Sequence, residues 1–364
     1  WKIGNFLNIK NFLIFRSFDV NRIIKPELTF VETKLSNKIF NRLKKKILNK
    51  DDVLKLSLDN IKIGDLLYDT YLKSSKNPTL FLDNKFYSLL SDFCKLYIFW
   101  KNYFKNNNIK AIIGVHSSYS YGLPLRIALK KKIPTYCVTF RKINKLSNKM
   151  QFLSGEFVNF KKKFKKIDKK IKKDGLSIAK KKIKMRFDGV AGIKSHIISS
   201  EVSSFSKKFL KRRIFKTEKP IIVIFPHDFF DAVHAYGKNL FNDFYEWLEF
   251  LGKISKNTDY CWYIKNRPNY PGKFKIYQPK TDHIINKFVE KYPNIIRLPN
   301  NYSHNQIIKE GIDFVLTCYG SVGVEYPYFN IPVINASINN PHINYNFNYN
   351  PKSKKDYKLI LKNL

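Results

Sequence analysis

Several short stretches of this 364-residue chain carry side chains whose type and spacing suit chemistry. "CYGSVGVEY" (Cys318–Tyr326) puts a glycine and a hydroxyl into a tight turn. A helix opening at Ser321 would aim its free N–H groups and the positive end of its dipole into that turn, which is a place for a phosphate. Tyr319, Gly320, Ser321 and Val322 then form the cradle. Glu325, one turn further, is placed to accept hydrogen bonds from ribose hydroxyls. "YIKNRPNYPG" sets Lys265 and Arg267 two positions apart, a pair of cations suited to a diphosphate or phosphodiester. "FPHDFFDAVHAYG" crowds His227, Asp228, Asp231 and His234 into eight positions, enough for a general base and the groups that orient it. Asp231 is the first choice as base and His227 the second.

Two further groups suit a second substrate. "HSSYSYG" presents His116, Ser117 and Tyr121 as groups that can read an acceptor's hydroxyls. "IGDLLYDTYLK" sets Asp65 and Asp69 one helical turn apart, able to face the same cleft or simply to complement a helix N-terminus. "NNPHINYNFNYNPKS" offers His342 and Tyr345 for stacking on a base or sugar ring. No metal is expected, because outside the His227–His234 stretch the histidines are scattered.

These stretches have to be held by a scaffold, and the pattern of the chain specifies one. From Lys219 onward short β-rich runs alternate with helical spacing: "KPIIVIF", "DYCWYIK", "NIIRL", "DFVLTC" and "IPVINA" read as strands. The helices between them carry their own punctuation, with Thr281, Ser303 and Ser353 as caps and Gly311 as a stop. Such alternation predicts a parallel sheet with helices on both faces. The stretches around His227, Lys265, Ser321 and His116 then fall at strands' C-terminal ends, where ligands bind in such sheets. The N-terminal part repeats the style less cleanly. "IKAIIGV", "YGLPLRIALKKK" and "IPTYCVTF" make one βαβ unit, and Lys85–Asn107 reads as a long helix. The segment Lys161–Lys184 is dense in lysine and reads as a solvated helix or a surface-facing element. The expected fold class is α/β, with two Rossmann-like parallel-sheet domains facing a cleft. An acceptor-side domain spans 1–212 and a nucleotide-binding domain 213–364.

Bulk composition narrows the classes. A content of 44% apolar residues is that of a globular chain, and its length is too great for one ordinary core. The formal charge of +40 invites a nucleic-acid reading, yet only 10 of the 68 basic residues are Arg. A nucleic-acid reader uses Arg for bidentate contacts, so abundant Lys, Asn and Ile point to coding bias instead. No nucleic-acid partner is expected, although such a surface would be drawn to an anionic membrane. The four cysteines form no CxxC pair and read as reduced core residues. With no apolar run long enough to span a bilayer and no signal-peptide pattern at "WKIGNFLNIKNFLIF", the expected location is cytoplasmic, peripheral on the inner membrane face. Trp1 in first position reads as the start of a piece of a longer chain.

Three stretches resemble bacterial enzymes of surface-carbohydrate (capsule and lipopolysaccharide) biosynthesis with the GT-B fold. "WYIKNRPN" looks like the strand–Lys–x–His–Pro element of Kdo and sialyl transferases that use CMP-activated sugars. "YGSVGVEYPYFNIPVINAS" looks like their Ser-containing turn and ribose-binding Glu. "IGDLLYDTYLK" and the Asn-rich loop resemble stretches of related proteins. The resemblance implies a metal-independent glycosyltransferase without a cofactor. Its partners would be a nucleotide-sugar donor, CMP-Kdo among the candidates, and a saccharide or lipid-linked glycan acceptor. One departure stands out: Arg267-Pro268 replaces His-Pro, so a fixed charge stands where the family has a titrating group. Within the same fold, a CDP-linked polyol-phosphate transferase and a sugar-nucleotide 2-epimerase are alternatives. A non-catalytic glycan- or lipid-binding scaffold is another.

Overall fold

The computed structural model describes residues 13, 15–75, 77–139, 142–148, 159–189, 205–206, 209, 214–215, 217–267 and 278–364. Its organising element is a six-stranded, wholly parallel sheet built from β6 (Ile221–Ile224), β7 (Cys261–Ile264), β8 (Ile295–Arg297), β9 (Phe314–Thr317), β10 (Val333–Asn335) and β11 (Asn348–Tyr349). The order across the sheet is β11-β10-β9-β6-β7-β8. Chain order therefore reverses direction between β6 and β9, as in doubly wound nucleotide-binding folds, and a crevice opens there beyond the strand ends.

The strands are short and apolar because both faces are covered. Ile222, Ile224, Trp262, Ile264, Leu316 and Ile334 point into one core. Their neighbours Ile221, Val223, Tyr263, Val315 and Val333 point into the other. That period-two division leaves no solvent face, which is why these runs lack polar alternation. The predicted caps at Ser303 and Ser353 hold, each side chain accepting a backbone N–H of the first turn. Gly311 adopts φ +87° at the stop. Thr281, expected as a cap, lies inside the helix Gln278–Lys291.

The N-terminal half differs from the expected second wound sheet. Its βαβ unit forms, with β3 (Ile112–Gly114) and β4 (Thr135–Thr139) parallel about the helix Gly122–Lys130. The chain then doubles back into β5 (Lys142–Lys145), antiparallel to β4. The result, among the described residues, is a mixed three-stranded sheet, β3-β4-β5, beside a short hairpin of β1 (Ser57–Leu58) and β2 (Ile61–Lys62). Helices make up most of the rest, above all Gly64–Ser74 and Asn84–Asn106. The protein is thus α/β, and the expected parallel doubly wound sheet is met in the C-terminal half alone. The boundary expected at 212/213 lies outside the described residues.

One face of the large sheet joins a core that continues without a break into Leu66, Leu67, Phe86 and Leu123. The segment from Pro226 to Asp243 is fastened across this junction. Tyr68 and Thr79 donate hydroxyl hydrogens to the Asp243 carboxylate at 2.5 and 2.6 Å. The Asp69 carboxylate meets the His234 ring at 2.7 Å, and Tyr119 donates to Asp231 at 2.7 Å. Among the described residues no helix is long and apolar enough to cross a membrane.

Candidate functional site

At the reversal point three strand exits share a pocket of about 320 Å³, near the lower end of the ~300–1,000 Å³ range for small-molecule sites. From β6 come His227, Asp228 and Asp231. The exit of β7 supplies Lys265, Asn266 and Arg267, and that of β9 supplies Gly320, Ser321, Val322 and Glu325. His304, from the helix His304–Glu310, and Arg186, from the helix Lys169–Phe187, close the sides.

The floor of the pocket is cationic. Lys265 is 2% exposed. Its Nζ donates to the Asn266 carbonyl at 3.2 Å, and among the described residues no carboxylate pairs with it. Burial, reinforced by the nearby Arg267 charge, pulls its pKa down to about 7. An amine removed from water and denied an anion is costly to keep charged, and an incoming anion reverses that. Asn266 fixes the exit of β7 by accepting the Arg267 N–H at 2.9 Å and donating to Asp282 at 3.0 Å. Pro268 and the loop after it lie outside the described residues. His304 is held well below the usual imidazole pKa by burial and by the Lys265 and Arg186 charges, so it is neutral. Its Nδ1 meets the Tyr326 hydroxyl at 2.8 Å.

The β6 exit supplies the titrating groups. Burial and the neighbouring Asp231 raise the Asp228 carboxyl to about 6, although the Phe230 N–H that it accepts at 3.0 Å works the other way. Asp231 accepts from Tyr119 at 2.7 Å and from the Ala232 N–H at 2.8 Å. His227 stacks on Phe244 at 4.5 Å and, chiefly through burial, falls to about 4. A backbone N–H can only donate, so the Tyr319 N–H at 3.3 Å makes Nε2 the unprotonated nitrogen. The Thr317 hydroxyl lies 3.2 Å from the same nitrogen while accepting from the Gly320 N–H. His227 is therefore a neutral strut under the glycine turn, with its basic nitrogen in use. Asp228, left out of the sequence-level choice of base, is the carboxylate whose affinity for a proton is set closest to neutrality.

The glycine turn departs from expectation in one respect. The helix after Ser321 is a single turn, Val322–Glu325, and the Ser321 side chain makes no capping bond. One turn carries little dipole, so the cations of β7 and not a helix terminus dominate the potential. Its glycines serve close packing. A Cβ on Gly320 would stand 2.8 Å from the Thr317 hydroxyl, and one on Gly323 would stand 2.8 Å from the His342 ring. His342 is thereby a buried support whose Nε2 meets the Gly320 carbonyl at 3.3 Å. Glu325 is held by Arg186 at 2.5 Å.

Of the expected donor-side residues, Lys265, Arg267, Gly320, Ser321, Val322 and Glu325 line this one pocket together with His227 and Asp231. Tyr319 does not; its buried hydroxyl donates to the Ala232 and Val233 carbonyls at 3.0 and 3.1 Å and ties the β6 loop in place. The expected acceptor-side residues stand apart from the pocket lining. Asp65 is buried in a bidentate pair with Arg126 at 2.7 and 2.8 Å, which spends both oxygens on structure. Tyr121 is exposed and Ser117 is buried. His116 reaches the site indirectly, packing 5.3 Å from the ring of Tyr119, which itself bonds Asp231. Tyr119 holds φ +57°, a strained backbone for a non-glycine, and that strain aims its hydroxyl at Asp231. Neither Tyr119 nor Arg186 and His304 carries a sequence signal for this site, since each reaches it from a different part of the chain. Among the described residues no three His, Cys, Asp or Glu side chains gather as a metal site would need.

No protein-family model matches the chain, and no curated protein matches it.

Proposed function

We propose that the protein is a glycosyltransferase of the GT-B type, moving a sugar from a nucleotide donor to a saccharide acceptor in bacterial surface-glycan assembly. The observation that carries this reading is the Lys265 amine. It is buried, with no carboxylate partner among the described residues, at the reversal point of a parallel sheet, in a pocket of small-ligand size. Phosphate oxygens are the natural complement of Lys265 and Arg267 together. The two motifs that resemble CMP-sugar transferases, around Lys265 and around Ser321, also line this same pocket. Negative charge grows on the departing nucleotide phosphate as its bond to the sugar breaks, and cations fixed beside it lower that barrier. The attacking hydroxyl gives up its proton to a carboxylate, for which Asp228, raised to about 6, and Asp231 beside it are suited.

The test is calorimetric titration of the folded protein with CMP, CDP, UDP and GDP. One of these should bind. Lys265→Ala should weaken it about ten- to a hundredfold, the worth of a charge-assisted hydrogen bond, and Ser321→Trp should abolish it. Folded protein that binds none of them overturns the reading. Release of the nucleotide from its sugar only when an acceptor is present separates a transferase from an epimerase.

A further inference from the structure

The Lys-rich segment between the two halves folds as two helices, Phe160–Lys165 and Lys169–Phe187. Phe187 is their only buried residue. Phe164, Ile171, Leu176 and Ile178 are 55, 61, 57 and 54% exposed. Thirteen lysines and one arginine stand between positions 160 and 187, against two aspartates. At about 100° per residue Ile171 and Ile178 share one line and, with Gly175, Ala179 and Leu176, span roughly 160° of the helix, with Lys172, Lys182 and Arg186 set among them. Lys170, Lys173, Lys181 and Lys184 stand opposite. Large apolar groups left exposed, with no core beneath them among the described residues, mark an interaction surface.

We infer that these two helices form a docking surface for an anionic lipid bilayer. The charge complementarity is that of lysine with acidic headgroups, at about 1 kcal/mol for each residue near the surface. Aliphatic and aromatic side chains set between the lysines enter the acyl boundary while the lysine stems reach back to the headgroups. A nucleic acid offers no place for those apolar side chains, and its readers favour arginine, of which this segment has one. The docked element is also continuous with the pocket. Arg186 binds Glu325 at 2.5 Å and reaches the Ser321 hydroxyl at 3.4 Å. The Phe187 carbonyl accepts from Asn305 at 2.8 Å, and the Phe187 ring packs on Phe329 at 4.6 Å. A rise of about 1.5 Å per residue puts Ile171 roughly 22 Å from Arg186, so the bilayer is held within a short reach of the pocket.

The experiment is flotation of the full chain with vesicles of phosphatidylcholine alone or with about a third phosphatidylglycerol. Binding is expected to the anionic vesicles only and to fall at least tenfold in I171E/L176E/I178E, with circular dichroism unchanged. Leu48→Glu, at an apolar side chain 82% exposed elsewhere, should bind as the wild type does. Equal binding by wild type and triple variant overturns the inference, as does equal binding to both vesicle types. Failure to bind anionic vesicles while duplex DNA or RNA is retained at the same salt reassigns the surface to nucleic acid and also overturns it. Nucleotide binding by the triple variant should match the wild type, so this outcome is independent of the donor-site reading.

Discussion

Asp65 and Lys265 are both buried, charged and set beside a cation, yet they are opposite kinds of site. Asp65 faces the Arg126 guanidinium through two bonds at 2.7 and 2.8 Å. Burial alone would push its carboxyl up, but Arg126 overrides that and holds it down to about 2. Lys265 has a cation, Arg267, for its charged neighbour and a carbonyl for its partner, and burial pulls it down to about 7. The first cluster is closed, because the carboxylate and the guanidinium meet within the chain through two bonds. The second is open in that no carboxylate among the described residues pairs with Lys265, so its charge is not cancelled in that way. Burial of a charge therefore says little about function; the missing counter-charge says more.

The comparison is easiest to break through the closed pair. Arg126→Ala strands a buried carboxylate and should cost about 3–5 kcal/mol of stability, read by chemical denaturation. Asp65→Leu combined with Arg126→Met should recover much of it. In the wild type the pair's contribution is complete above the unfolded aspartate value of 3.8 and is lost as pH falls from there through about 2. If Arg126→Ala instead left stability intact and abolished nucleotide binding, Asp65 and Lys265 would have to exchange roles.

The open cluster should respond with the opposite sign. The unfolded chain holds the Lys265 proton up to about pH 10.5 and the folded chain only up to about 7. Charging the amine thus burdens the fold fully below pH 7 and not at all above about 10.5. Lys265→Met should stabilise the protein by on the order of 1–4 kcal/mol near pH 6–7, with the gain fading toward pH 10, while nucleotide binding weakens about ten- to a hundredfold. Denaturation curves across that range check it. The same proton should make ligand binding pH-dependent. Affinity should fall as much as tenfold per unit above about pH 7, because the bound form keeps the proton that the free form releases. A flat titration profile from pH 6 to 8.5 would remove Lys265 from the anion site.

What the sequence made legible follows the same division. The strands around the open cluster are continuous apolar runs, and Ser303, Gly311 and Ser353 bound their helices, so local chemistry alone located the exits of β6, β7 and β9. Lys265, Arg267, Ser321 and Glu325 could be named because each stands at such an exit. The sequence leaves a cleft role and a helix-terminus role both open for Asp65, because its partner, Arg126, is 61 positions away and spacing does not reveal long-range pairing. Arg186, His304 and Tyr119 escaped for the same reason. One βαβ unit in the sequence predicts a second parallel sheet, whereas β5 pairs antiparallel with β4.

The smallest expected effect sharpens the contrast between charge and packing. Packing as well as charge shapes the wall of the pocket beside Lys265. Gly323 is set against the His342 ring with no room for a methyl group, since a Cβ there would lie 2.8 Å from the ring. His342 in turn meets the Gly320 carbonyl at 3.3 Å, and Asn348 donates to the Gly323 carbonyl at 2.7 Å. Gly323→Ala should therefore push His342 aside at a cost of about 1 kcal/mol, the low end for overpacking. Its effect should reach the ligand only through the position of Gly320 and Ser321, as a two- to threefold loss of nucleotide affinity with the pH profile unchanged, because Lys265 is untouched. Loss of the pH dependence in Gly323→Ala would mean that the turn, and not the β7 cations, sets the potential of the pocket.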